Sequence, residues 1–234
     1  MSDGAILNVA RLGVVEYVAA LELQYSMVGA RIRNQIGDTL LLLEHPHVYT
    51  LGRGADAKFI LDRAGTIPVH RISRGGQVTY HGPGQLVGYP ILKLDGAERD
   101  VIRYLRKLEQ VIIDTLVRWD IAAERREGLT GVWVVGKKIA SIGVGLRRWT
   151  TLHGFALNIA TDLRYFERIV PCGIEGCRMT SLTDLGRPEI TVPDIAGSLA
   201  RVYAAVFGYR AAVEVEPRTL WNLRNAADTA VAQV

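Results

Sequence analysis

A segment of twelve residues, Arg74 to Gln85, contains four glycines and one proline. Glycine weakens regular elements and proline removes a backbone donor, so this composition predicts neither an ordinary helix nor an ordinary strand. The segment also carries the polar side chains of Arg74, Thr79, His81 and Gln85. Because glycine lets a ligand approach the backbone closely, polar groups concentrated at such a bend favour a binding loop over a simple turn.

The glycine spacing excludes two common nucleotide-binding loops. A phosphate-binding P-loop requires the pattern GxxxxGK[ST], which this segment lacks. The nearest match to a dinucleotide fingerprint, residues 82–88, has one residue too many and leads into a strand pattern where a helix is required. The segment therefore predicts a ligand of another kind.

Apolar periodicity predicts an α/β (α+β) fold, a mixed β-sheet with helices packed on it. Helical spacing occurs over residues 14–33, 98–119 and 193–207, and strand patterns over 38–44, 67–72, 86–92 and 151–159. Residues 131–135 and 139–146 predict a hairpin that turns at Gly136-Lys137. No repeat or linker composition interrupts the 234 residues, so we expect one domain over residues 1–234.

Charge and hydropathy exclude several classes of partner. The net charge is +4, and no aromatic–basic stripe accompanies the basic clusters, so nucleic acid is not expected. No apolar run is long enough to span a bilayer, and the N-terminus lacks a secretory pattern. We therefore expect a cytoplasmic protein without a membrane partner. The basic clusters are solvated helix faces and loop ends, or alternatively a docking surface for an acidic protein.

The chain has two cysteines, Cys172 and Cys177. A disulfide closing so short a loop would stabilise little, so free thiols are expected. No second cysteine pair exists and the five histidines show no ligand spacing, so neither a metal nor a cofactor is expected. A thiol beside a basic group is a strong nucleophile, and Pro171-Cys172-Gly173-Ile174 is the predicted centre of covalent acyl transfer.

Together these segments resemble the lipoyl(octanoyl) transferases. The resemblance rests on residues 43–50, 74–86, 136–143, 153–158 and 171–173, which occur in order and at compatible spacing between about residues 38 and 185. It implies the fold of the biotin and lipoate protein ligase catalytic domains. It also implies transfer of an octanoyl group from octanoyl-acyl carrier protein to a lysine of lipoyl domains, those of 2-oxoacid dehydrogenase E2 subunits and of the glycine cleavage H protein. A monomer is expected.

The resemblance assigns roles to individual residues. The family's acyl-thioester cysteine falls on Cys172 and its partner lysine on Lys138. Its binding positions fall on Arg74, Gly75, Gly76, Gln77, Val78, Thr79, Tyr80 and His81, on Ser141, Ile142 and Gly143, and on Gly154, Phe155 and Ala156; His153, beside Gly154, is a further candidate. Cys177 is outside the pattern and is expected to be a packing or neutral residue.

Strand alternation alone does not choose between the two lysines. It would put Lys138, Ala140 and Ile142 on one face, and Lys137, Ile139 and Ser141 on the other. Lys137 is expected to be solvated at the turn. Candidate donors to a tetrahedral oxyanion are the amides of Gly75, Gly76 and Gly173 and the side chain of His81. Val78, Ile142 and Phe155 are candidate walls of an acyl slot.

Related functions stay open. An ATP-dependent lipoate-protein ligase shares the fold but activates a free acid and needs no nucleophilic cysteine. A lipoyl-domain amidotransferase would move octanoyl between two lipoyl-type proteins. A non-catalytic module would bind a lipoyl domain and form no thioester. A cysteine hydrolase is the least favoured, because the acyl enzyme has to exclude water and wait for an amine.

Overall fold

The computed structural model describes residues 4–61, 65–174 and 176–223. Its strands are β1 (Ile6–Val14), β2 (Thr39–Glu44), β3 (Val48–Leu51), β4 (Val69–Arg71), β5 (Val78–His81), β6 (Gln85–Ile91), β7 (Glu124–Arg126), β8 (Leu129–Val134), β9 (Lys137–Arg147), β10 (Thr150–Asn158) and β11 (Ala211–Glu214). The long helices are α1 (Tyr17–Ile32), α2 (Val101–Val117) and α3 (Val192–Phe207).

A mixed sheet of eight strands forms the centre, in the order β11-β1-β2-β6-β10-β9-β8-β7. Strands β11, β1 and β2 pair in parallel, and every later pairing across the sheet is antiparallel. A second sheet has the order β4-β3-β5. The predicted mixed sheet with packed helices is confirmed.

The run of leucines in β2 shows how both faces of the large sheet are covered. Leu40 and Leu42 lie in the core that α2 and α3 form on one face. Leu41 and Leu43 lie in the second core, which α1 forms on the other face. Successive side chains of a strand point to opposite faces, so an uninterrupted apolar run needs such burial on both sides.

Local signals explain where the helices begin and end. Helix α1 begins three residues later than predicted because Val14 still belongs to β1, a strand that the periodicity did not reveal. Helix α2 begins after Asp100, whose carboxylate accepts hydrogen bonds from the amides of Ile102 and Arg103. Helix α3 begins with a capping box between Thr191 and Asp194 and ends at Gly208, where φ is 76°.

Two predictions near the glycines were wrong in detail. The glycine-rich segment does contain regular structure, because Val78–His81 form β5 and β6 begins at Gln85. Its glycines lie before and between these strands. The β8–β9 turn lies at Val135-Gly136, one residue earlier than predicted, and both residues have positive φ, as a tight two-residue hairpin turn requires.

Over the described ranges, none of the helices combines the length and the apolar character that crossing a bilayer would need.

Candidate active site

Strands β5, β9 and β10 converge with the turn Pro171–Gly173 around a cavity of about 240 Å³. The predicted residues that line it are Arg74, Gly76, Gln77, Val78, Thr79, His81, Lys138, Ser141, Ile142, Gly143, His153, Gly154, Phe155, Ala156 and Cys172. Gly75 and Tyr80 are not among its lining residues. Gly75 instead donates its amide to the carbonyl of Val144, and the Tyr80 hydroxyl hydrogen-bonds to His47.

Cys172 is a free, partly buried thiol with φ of 58°, the left-handed region that non-glycine residues rarely adopt. Lys138 Nζ donates to its Sγ at 3.2 Å, and Ser141 Oγ lies 3.9 Å from the same sulfur. Lys138 and Cys172, 34 positions apart in the sequence, therefore form a direct amine–thiol pair at the cavity.

The side chain of Lys138 is almost completely buried, and its amine is held by several contacts. The residue is 1% exposed, and Nζ donates to the carbonyl of Thr130 at 2.9 Å and lies 4.9 Å from the ring centre of Trp133. Its backbone is fixed on a second side by bonds to Arg178 and Thr180. These contacts hold the side chain with its amine directed toward the sulfur.

A β-bulge corrects the prediction from strand alternation. Val132 pairs with Ala140 but Trp133 pairs with Lys138, so Ile139 is an extra residue in β9. An extra residue reverses the alternation beyond it. Lys138 and Ser141, predicted on opposite faces, therefore both approach Cys172. Lys137, predicted to be solvated, is half-exposed and pairs with Asp184 at 3.0 Å.

Arg74 organises the glycine-rich loop from inside. Its buried guanidinium donates to the carbonyls of Gly75, Gln77 and Thr50 and to the Thr50 hydroxyl, each within 2.9 Å. Burial lowers the pKa of this guanidinium. A Cβ on Gly143 would lie 3.0 Å from Arg74 Cδ, so glycine at this position of β9 allows the loop to pack directly against the strand.

His81 is a neutral acceptor at the cavity. Burial, and then the neighbouring His45, lower its pKa to about 3. The Gln85 side-chain NH₂ donates to Tyr80 O and Asn158 Oδ1, which leaves Gln85 Oε1 to accept from His81 Nδ1 at 2.8 Å. Nε2 of the neutral ring therefore carries a lone pair and has no proton to give to an oxyanion.

The same logic narrows the other candidate oxyanion donors. The amide of Gly75 donates to Val144 O, and that of Gly173 donates to Val170 O, both at 3.0 Å. His81 is an acceptor, so among the four candidates only the amide of Gly76 has no hydrogen-bond acceptor within the described residues, and Gly76 lines the cavity.

Cys177 differs from Cys172 in its environment. Burial raises the pKa of its thiol, although Lys138 lowers it in part. A thiol in this state is a poorer nucleophile at neutral pH, because less of it is ionised. It lines a separate surface groove with Leu163 and Met179.

Several cavity residues could not be predicted from the sequence. They are Tyr17, Tyr89, Gly128, Leu129 and Thr130, whereas Ile174, which also lines the cavity, belongs to the predicted segment of Cys172. Tyr17 lies at the start of α1 and Thr130 in β8, and each reads as an ordinary member of its element. No local spacing connects them to the glycine-rich loop. Within the described ranges, no cluster of His, Cys, Asp or Glu suits a metal ion.

Buried neutral histidines predict a loss of stability at mildly acidic pH. Burial lowers the pKa of His45 and His153 to about 4, as it lowers that of His81 to about 3. Below pH 6.5 the unfolded chain binds protons that the folded chain does not. The free energy of unfolding should therefore decrease as the pH is lowered below 6.5. The fall is about 1.4 kcal/mol per pH unit for each fully effective histidine.

Urea unfolding at pH 7.5, 6 and 5 measures this dependence. The His45→Gln variant is the control, since it removes one of the three proton sites and should make the dependence less steep. Unchanged stability from pH 7.5 to 5, or identical slopes in the two proteins, would contradict the prediction.

Comparison with known proteins identifies the family of the chain. Residues 16–204 match the family model of the lipoyl protein ligase A/B catalytic domain. The chain belongs to this family. An octanoyltransferase of Gloeobacter violaceus is 49% identical over 209 residues, covering 89% of this chain and 91% of that protein. An octanoyltransferase of Solibacter usitatus is 50% identical over 205 residues, covering 85% and 92%.

Solved structures of lipoyl protein ligases share the fold. A lipoate-protein ligase A bound with ATP has a TM-score of 0.71 at 17% identity, covering 96% of this chain and 94% of that chain. A bi-partite lipoate protein ligase of Thermoplasma acidophilum has a TM-score of 0.70 at 18% identity, covering 97% and 92%. The predicted lipoate-ligase fold is confirmed, and the curated relatives confirm the prediction of an acyltransferase that moves octanoyl groups in protein lipoylation.

Proposed function

We propose that this octanoyl-transferring enzyme carries the acyl group as a thioester on Cys172, between octanoyl-acyl carrier protein and a lysine of a lipoyl domain. The observation that carries the proposal is the 3.2 Å contact between Lys138 Nζ and Cys172 Sγ at the cavity. A lysine ammonium at this distance stabilises a thiolate, the form of cysteine that attacks an acyl group.

In the first half-reaction, the Cys172 thiolate attacks the carbonyl carbon of the octanoyl thioester. A new carbon–sulfur bond forms, and the resulting tetrahedral oxyanion collapses with cleavage of the bond to the phosphopantetheine sulfur. The Lys138 ammonium gives its proton to the leaving thiolate. The products are octanoyl-Cys172, free carrier-protein thiol and a neutral Lys138 amine.

In the second half-reaction, a neutral lysine amine of the lipoyl domain attacks octanoyl-Cys172. The carbon–nitrogen bond forms as the carbon–sulfur bond breaks, and Lys138 takes the proton that the attacking nitrogen loses. The amide leaves with the lipoyl domain. Cys172 returns as the thiolate and Lys138 as the ammonium. The enzyme therefore ends the cycle with the same number of protons as it had at the start.

The acyl tail is proposed to lie along the apolar wall of the cavity. Val78, Ile142 and Phe155 line it next to Ala156, and Val78 and Phe155 are themselves buried. Burial of apolar surface supplies binding energy of about 25 cal/mol per Å², which favours a hydrocarbon chain here. A covered thioester is also protected from water, which would otherwise compete with the amine.

The acceptors proposed are the lipoyl domains of E2 subunits and the glycine cleavage H protein. The Thermoplasma acidophilum ligase of the same fold is described together with its E2 lipoyl domain, which supports a protein acceptor for this chain. We further propose that the enzyme acts as a monomer in the cytoplasm.

Incubation with octanoyl-acyl carrier protein, followed by intact-mass and peptide analysis, tests the proposal. The expected result is one octanoyl group on Cys172, which is then lost to an added lipoyl domain without ATP. An adduct on Cys177, or none, would contradict the proposed route. Transfer that requires ATP and free acid would instead indicate a ligase, and octanoyl-H protein as the better donor an amidotransferase.

A substitution at Gly131 tests how accurately the Lys138 side chain must be positioned for octanoyl transfer. A Cβ at Gly131 would lie 2.5 Å from Lys138 Cε and 3.0 Å from its Nζ, so the side chain would have to move. Displacement of a catalytic group by about 1 Å can lower a rate about 100-fold. We therefore expect Gly131→Ala to lose about that factor in octanoyl transfer, measured as octanoylated lipoyl domain per minute.

The matched control is Gly208→Ala. Gly208 also has positive φ, and a Cβ there would meet nothing within 4 Å. Gly208→Ala carries a backbone penalty of about 1 kcal/mol. The penalty of Gly131→Ala is larger, because φ is 140° and the new Cβ would also lie 2.7 Å from Ala140 O, so urea unfolding has to establish that this variant is folded in the assay. Of the two folded variants, only Gly131→Ala should lose transfer. Equal activities of the two variants would show that the gap beside Lys138 does not matter.

A further inference from the structure

Glu109 of α2 is a fully buried carboxylate outside the cavity. Its Oε2 accepts from Arg106 Nη1 at 2.7 Å and from Arg125 Nε at 3.0 Å. Its Oε1 accepts the backbone amide of Gly131 at 3.1 Å. Burying a carboxylate is costly unless its hydrogen bonds are satisfied, and here a helix residue uses one of its two oxygens on the backbone of a neighbouring strand.

The amide that Glu109 accepts belongs to the same peptide group as the carbonyl that holds Lys138. The amide nitrogen is that of Gly131 and the carbonyl oxygen that of Thr130, and Lys138 Nζ donates to this oxygen at 2.9 Å. One peptide unit therefore separates the Glu109 carboxylate from the Lys138 amine. Hydrogen bonds in such a chain polarise one another, so a negative charge at the amide makes the carbonyl a stronger acceptor.

Lys138 has little other anionic support. Among the described residues, no carboxylate lies within ion-pair distance of its Nζ. Its neighbours are the Thr130 carbonyl, the Cys172 sulfur and the face of Trp133. The Thr130 carbonyl is thus the backbone acceptor that holds the amine beside the sulfur, and Glu109 accepts from the amide of the same peptide.

We propose that Glu109 is a positioning residue, which acts through the Thr130–Gly131 peptide to hold and stabilise the Lys138 ammonium at Cys172. This inference rests on the proposed function. Glu109 does not line the cavity. Its loss should therefore slow the proton transfers made by Lys138 without weakening substrate binding.

The Glu109→Gln variant tests this with the least change in shape. Glutamine has one acceptor oxygen, which either stays on the Gly131 amide as a neutral acceptor or turns toward Arg106 and Arg125. In both cases the Gly131 amide loses its charged acceptor, and charge assistance roughly doubles the strength of such a bond. Arg106 and Arg125 have side chains 44% and 35% exposed, so water can solvate them after the change and the fold should persist. We expect kcat to fall about tenfold while KM for octanoyl-acyl carrier protein stays within about twofold.

Two further variants bracket the result. Glu109→Leu leaves the Gly131 amide without its acceptor and should lower kcat more than Glu109→Gln does. Glu98→Gln also removes one negative charge and an ion pair to α2, that with Lys107 at 2.7 Å, but it lies outside the contacts of Glu109, and its kcat should match the unmodified enzyme.

Active-site titration separates positioning from a merely structural role. In each variant, the amount of octanoyl-Cys172 formed after long incubation counts the competent molecules, and quenched-flow sampling gives the rate. We expect full stoichiometry with a slower rate in Glu109→Gln. A rate within twofold of the unmodified enzyme, or an amplitude that falls in proportion to the rate, would overturn the inference. Failure of the unmodified enzyme to form octanoyl-Cys172 would instead overturn the proposed function itself.

Discussion

Cys172→Ser is expected to lower octanoyl transfer by at least about a thousand-fold. A serine hydroxyl is hardly ionised near neutral pH, whereas the thiol can attack as a thiolate stabilised by Lys138. The change removes no packing of consequence, because Cys172 is partly exposed at a surface turn. The measurement is mass-spectrometric detection of octanoylated lipoyl domain, with urea unfolding to establish that the fold persists.

Cys177→Ser is the matched control for this experiment. Cys177 is also a partly buried free thiol, but burial raises its pKa and it does not line the main cavity. The control should transfer octanoyl at close to the original rate. Activity that survives Cys172→Ser, or that is lost in Cys177→Ser, would remove the thioester from its proposed position.

Lys138→Met should have the second largest effect. Methionine is about as long as the lysine stem and suits an almost completely buried site, but it neither donates to Cys172 nor exchanges a proton. Positioned acid–base groups contribute about 100- to 10,000-fold, so we expect transfer to fall by about a thousand-fold. Both half-reactions should slow, measured separately as formation of octanoyl-Cys172 and as its loss to the lipoyl domain.

Lys137→Met controls for the loss of a lysine from β9. Lys137 is half-exposed and pairs with Asp184, and such surface pairs contribute at most about 1 kcal/mol to stability. This variant should retain its activity within about twofold. If Lys138→Met were as active as Lys137→Met, no side-chain amine would be needed, and the proton balance proposed above would be wrong.

The sequence predicted those features that have local physical causes. The apolar run of residues 38–44 predicted strand β2, and the helical apolar spacing of residues 193–207 predicted helix α3. The glycine-rich loop was predicted to be a binding segment from its composition, and most of its predicted residues line the cavity. Cys172 and Lys138 were assigned by resemblance, and their 3.2 Å contact agrees with that pairing without testing its chemistry.

Features that depend on distant contacts were not predictable. The bulge at Ile139 depends on the register between β8 and β9, and without it Lys138 and Ser141 would face opposite sides. Strand β5 forms within the glycine-rich segment because β3 offers it a partner. Glu109 looks like any charged residue of an amphipathic helix, and its role depends on an amide 22 residues later.

The left-handed backbone at Cys172 creates a trade-off between the stability of the protein and the presence of a thiol at this turn. A side chain at φ of 58° costs about 1 kcal/mol that glycine would not incur, so the sturdiest residue for that turn is one that cannot do chemistry. Selection for thermal stability alone would favour glycine at this position, whereas selection for the proposed thioester chemistry would keep the cysteine. Engineers who seek a hardier enzyme should therefore look for their gains elsewhere in the molecule.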